Sequence, residues 1–67
     1  MKEFAERLKE LRLEKGLSQS ALGKATKISQ SAIKQWENKN RVPNAMAVVI
    51  LAKYFKVSTD YLLGLED

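Results

Sequence analysis

Ser18-Gln-Ser-Ala-Leu-Gly-Lys-Ala-Thr-Lys-Ile-Ser-Gln30, running on into Ser31-Ala-Ile-Lys-Gln-Trp-Glu37, is the stretch whose reading decides the fold. It reads as two short helices joined by a tight turn. Each opens with a serine, whose side-chain oxygen can cap the first turn, followed by glutamine. The second helix carries Ile33 and Trp36 inward and keeps its leading face polar. A small protein that inserts a helix into a DNA groove needs this arrangement.

Working outward, Phe4, Leu8 and Leu11 fall at i, i+4 and i+7, the apolar stripe of an amphipathic first helix. Gly16 is expected to end that helix in the left-handed conformation, with Leu17 as the hydrophobic contact after the cap. Ser18 then caps a second helix through about Ala25, and Ser29 a third through about Glu37. Asn38 to Pro43 is a polar loop. Asn44 can cap a fourth helix running to about Phe55, and Ser58 a fifth through Leu63, ended by Gly64. No segment alternates with period two for long enough to be a strand. The expectation is an all-α, compact five-helix domain spanning residues 1–67, with the helix-turn-helix at about 18–37.

The 67 residues contain no Cys and no His. A disulfide framework and thiolate metal sites are excluded, as are the commonest general base and the commonest neutral metal ligand. Without an acid cluster or a Gly-rich phosphate loop, no catalytic constellation remains, so an enzyme is not expected. Neither a metal nor a cofactor is expected. No apolar run approaches the roughly 18 residues of a membrane span, and nothing resembles a signal peptide. Cytoplasmic residence, in a bacterium or encoded by a phage, is the resulting expectation.

The net charge is +4, and its distribution says more than its size. Residues 1–14 hold four basic and four acidic groups, which cancel. Residues 15–56 hold eight basic groups and one acid, Glu37, while residues 57–67 carry three acids. A positive middle with an acidic tail suits a polyanion bound by the central segment. The same lysines would also serve as a solvated surface, so charge alone does not choose.

Four fragments, in order and correctly separated, resemble the phage-repressor-like (Cro/C1-type) helix-turn-helix family. They are Leu11-Arg-Leu-Glu-Lys-Gly-Leu-Ser-Gln19, Ser29-Gln-Ser-Ala-Ile-Lys-Gln-Trp-Glu-Asn38, Arg41-Val-Pro43 and Val57-Ser-Thr-Asp-Tyr-Leu-Leu-Gly64. The resemblance covers roughly residues 4–64. It implies a lambda-repressor-like fold and sequence-specific double-stranded DNA binding by a transcriptional regulator, most simply a repressor. The docking geometry implied is the one described for the phage repressors themselves, with the third helix in the major groove of a pseudo-palindromic operator.

By that resemblance Leu22, Ile28, Ile33 and Trp36 lock the two helices together, and Gly23 lies where a very small residue is wanted. Gln30, Ser31, Lys34 and Gln35 form the face placed toward base edges. Gln can pair bidentately with adenine, Ser can bond either base type, and Lys can reach guanine or phosphate. Gln19, Ser29, Asn38, Lys39, Asn40 and Arg41 are implied phosphate contacts, which position the protein without reading sequence. Arg12 and Glu37 match positions that form an ion pair between the first and third helices, with spare guanidinium donors near the phosphates.

The chain also departs from the family. Lys27, Lys39 and Lys56 stand where Gly is usual, so each is expected in a left-handed backbone. Thr26 replaces a commonly apolar residue. Leu13, Met46 and Ile50 are apolar where polar residues are common. The resemblance implies a weak homodimer strengthened on DNA, through Tyr61, Leu65 and the connection between the last two helices, with Met46 and Ile50 the alternative surface. No small-molecule ligand is evident. With no sensing second domain expected, regulation would come from concentration, partners or competition. The competing class is an antitoxin- or anti-repressor-like protein-interaction module on the same scaffold.

Overall fold

A computed structural model of the chain describes residues 2–67. Five helices follow in order: α1 Lys2–Glu14, α2 Gln19–Thr26, α3 Gln30–Glu37, α4 Ala45–Phe55 and α5 Thr59–Leu62. The described residues include no strand. Each start has a local cause. The side-chain oxygens of Ser18, Ser29, Asn44 and Ser58 accept from the backbone N–H of Ala21, Ala32, Ala47 and Tyr61, at 3.0, 3.1, 2.8 and 2.9 Å. Each bond satisfies a first-turn donor that has no partner within its helix.

The ends are equally local. The chain passes through left-handed backbone at Gly16, Lys27, Lys39, Lys56 and Gly64. After α1, Leu17 N–H donates to the Arg12 carbonyl at 3.1 Å and Gly16 N–H to the Leu13 carbonyl at 2.9 Å. The same crossed pair of bonds recurs at Lys39–Asn40, Lys56–Val57 and Gly64–Leu65. The three lysines thus adopt the conformation expected of them, each against a Cβ penalty of about 1 kcal/mol. Two boundaries differ from expectation by one residue: α2 runs to Thr26, and α5 stops at Leu62 with Leu63 as its cap. Thr26 closes α2 half-buried, and its hydroxyl donates back to the Leu22 carbonyl at 2.8 Å.

Amphipathic spacing builds the core. Phe4 and Leu8 from α1, Leu22 from α2, Ile33 from α3, Leu51 from α4 and Leu62 from α5 are the largest fully buried side chains. α4 contributes the widest stripe, with Ala47, Val48, Leu51, Ala52 and Phe55 on two adjacent helical rows. α3 packs on both α1 and α2, whereas α5 packs on α1 and α4. Trp36 meets the edge of Phe4 with ring centroids 6.1 Å apart. The back of α3 is therefore core, and its front is left to solvent. No described helix is long and apolar enough to cross a membrane.

Candidate nucleic-acid interface

α3 is one face committed and one face open. Ile33 and Trp36 are buried, whereas Gln30, Ser31 and Lys34 are exposed. Positions i, i+1 and i+4 share a side of a helix, so these three project together, opposite the core residues. Gln35, expected with them, is half-buried instead.

The helix is held from behind by a buried ion pair. The Arg12 Nε donates to Glu37 Oε2 at 2.8 Å and its Nη2 to Glu37 Oε1 at 2.9 Å, a planar two-point match. Its Nη1 donates to the Leu17 carbonyl at 2.7 Å. One guanidinium thus ties α1, the turn before α2 and the end of α3. Arg12 is only 8% exposed. The hydrogen bond to Glu37 outweighs the opposing effect of burial and holds the Arg12 pKa above its ordinary value. Three of the five guanidinium N–H groups are engaged inside the protein, which leaves two on a side chain that is almost wholly buried.

Gln19 shows a second contact that spacing does not reveal. Its side-chain Nε2 donates to Glu37 Oε1 at 3.1 Å, across 18 residues of sequence. The first residue of α2 is thereby set beside the last residue of α3. One amide hydrogen and the backbone N–H groups at the start of α2 remain for an anion, where the helix dipole also favours one. Asn38, Lys39, Asn40 and Arg41 follow α3 directly and are all exposed. Groups suited to phosphate therefore gather at the C-terminal end of α3, and the polar residues suited to base edges begin at its N-terminal end. Eight residues of helix put about 12 Å between the two ends. The exposed Ser29 hydroxyl accepts the capping bond from Ala32 N–H, which leaves its own O–H free to donate.

Close approach of α2 to α3 depends on Gly23. A Cβ there would lie 2.7 Å from the Ile28 carbonyl oxygen and 3.4 Å from the Gln30 N. Both are backbone atoms and cannot swing aside. Ser29 and Gln30 begin α3 where they do because this position is bare. Among the described residues no group of three or more His, Cys, Asp or Glu could hold a metal.

A further tie was invisible in the sequence. Arg7 stacks its guanidinium 4.4 Å from the centroid of the Tyr61 ring and donates to the carbonyls of Tyr61 and Glu66. The Tyr61 ring, expected at a subunit contact, is covered on one face by its own chain. Leu65 remains exposed, as do Met46 and Leu13.

A helix-turn-helix family model matches residues 8–62. The chain is 37% identical over 65 residues to the HTH-type transcriptional activator BcrR of Enterococcus faecalis, covering 97% of this chain and 32% of that one. It is 40% identical over 60 residues to repressor protein C2 of Salmonella phage P22, covering 90% of this chain and 28% of that protein. An uncharacterized HTH-type transcriptional regulator of Bacillus subtilis (strain 168), YobD, is 34% identical over 64 residues, which is 96% of this chain and 57% of that one. The chain thus spans from about a quarter to just over half of the length of these relatives. No solved structure gives a significant match.

Proposed function

We propose, since the chain belongs to the Cro/C1-type helix-turn-helix family, that it is the sequence-specific DNA-binding unit of a prokaryotic or phage transcriptional regulator. α3 lies in the major groove of double-stranded DNA. Gln30 and Ser31 read base edges, and Lys34 reaches guanine or phosphate. Gln35 takes a lesser part, reaching the groove only with its outer atoms. Gln19, Ser29, Asn38, Lys39, Asn40 and Arg41 grip the phosphate backbone. The unit spans residues 1–67 and works in the cytoplasm, where its DNA lies.

The single observation that carries this reading is the two-sidedness of α3. Its inner side chains are seated in the core and its last residue is clamped by Arg12, while Gln30, Ser31 and Lys34 stand clear. A reader must be rigid to discriminate, because a side chain that can slide satisfies the wrong base as well as the right one.

Two copies bind a pseudo-palindromic site, because one short helix reads too few base pairs for a unique address. Repression is the simplest outcome, since occupying a promoter requires no further contact. Selection of bound duplexes from a random pool tests the proposal. The expected product is a two-fold symmetric consensus whose half-sites lie about one helical turn apart. Recovery of no consensus would remove the base-reading role.

A further inference from the structure

A cleft of about 430 Å³ opens at the turn between α2 and α3, lined by Ser20, Gly23, Lys24, Lys27, Ile28, Ser29 and Gln30. Its chemistry is one-sided. Lys24 and Lys27 are exposed, and neither is within 4.0 Å of a carboxylate among the described residues, whose ion pairs are Arg7–Asp67 and Arg12–Glu37. The sole acid between residues 15 and 56 is Glu37, and its oxygens are engaged by Arg12 and Gln19. Nothing on this side of the protein neutralises the two ammonium groups.

The backbone adds a second observation. Lys27 stands at φ +61°, and every non-glycine residue with positive φ among the described residues is a lysine. Asn and Asp accept this conformation more readily, and Gly does so without strain. A lysine here strains the backbone and adds a positive charge to the lining that Gln30 shares. Gly23, whose missing side chain lets the backbone at Ile28 close in, also lines the cleft.

We propose that this cleft is a seat for a phosphodiester of the DNA backbone, with Lys27 as its principal ligand and Lys24 beside it. Folding stability is surrendered at Lys27 in favour of DNA affinity. The inference rests on the proposed function and adds to it a phosphate contact at the N-terminal end of α3, opposite the cluster formed by Gln19 and residues 38–41. A reading helix gripped at both ends cannot pivot in the groove.

Lys56 supplies the control, because it has the same left-handed backbone but caps α4 and does not line the cleft. Lys27→Gly and Lys56→Gly should both raise the melting temperature of the free protein. On duplex DNA, Lys27→Gly should weaken binding and flatten the slope of log K against log salt by about 0.9, the release of one counterion. Lys56→Gly should leave the slope unchanged. Equal slopes for Lys27→Gly and wild type would overturn the proposal. Failure of the wild type to bind any duplex would instead overturn the functional reading beneath it. Inorganic phosphate at matched ionic strength distinguishes a free anion from a strand. A phosphate-dependent rise in melting temperature, present in wild type and absent in Lys27→Gly, would reassign the seat to free phosphate.

Discussion

In the proposed reading, Gln30 and Arg12 divide the work of recognition between a side chain that reads and one that holds. Gln30 is exposed at the first position of α3. Replacing it with Ala should cost about 1–3 kcal/mol on the selected site and relax one base position. Titration against the selected duplex and a scrambled one checks this, and equal losses on both would make Gln30 a backbone contact. Arg12 acts at a distance. Removing either member of its pair with Glu37 leaves a charge buried without a partner, so Arg12→Met or Glu37→Gln should each destabilise folding by about 3–5 kcal/mol. The double variant Arg12→Met/Glu37→Met should lose much less than the sum, because no orphaned charge remains. Additive losses in a double-mutant cycle by denaturant unfolding would contradict that coupling.

At the scale of the helix, starts are decided by single oxygens and ends by single backbone rotations. The turn between α2 and α3 is the sharpest case. Gly23→Ala should destabilise the fold by about 1–3 kcal/mol, because the added methyl meets carbonyl and amide atoms of the following helix. Thermal unfolding checks the size, and a stability equal to wild type would mean that the turn has room to spare. The caps were legible in the sequence, since Ser or Asn before an apolar run has a local physical meaning. The left-handed lysines were legible only through the family resemblance, because no local rule puts Lys there. The Gln19–Glu37 bond, the Leu17 carbonyl beneath Arg12 and the Arg7–Tyr61 stack were not legible. Each joins residues that meet only after the helices have packed. Half-burial of Gln35 escaped for a related reason: helical phase assigns a side, and packing decides how much of the side chain shows.

For the whole molecule, the proposed function makes charge and assembly set the affinity. Lys39→Ala and Arg41→Ala should each weaken binding to all duplexes alike and lower the salt slope by nearly one. Unchanged slopes would return both to the solvated surface. The free chain should be a monomer at micromolar concentration and pair on a symmetric site, and sedimentation with and without duplex checks this. A strictly one-to-one complex would sink the paired arrangement. Arg7 covers one face of the half-buried Tyr61 ring, and the candidate contacts are Tyr61 with Leu65 on one side and Met46 with half-buried Ile50 on the other. Leu65→Lys and Ile50→Lys, measured separately on the symmetric duplex, should abolish pairing in one case and spare it in the other.

Trp36 gives the molecule its own gauge. It is the sole tryptophan of the chain, 4% exposed, and its indole N–H finds no acceptor among the described residues. An indole in so dry a setting emits toward the blue and shifts to the red when water reaches it. Because this ring lies on the inner face of α3, its colour reports the seating of α3 on the core. An emission change that precedes the loss of helical circular dichroism would mean that α3 lifts away before the rest unfolds. Coincident changes would mean that the reader cannot loosen without the whole core giving way.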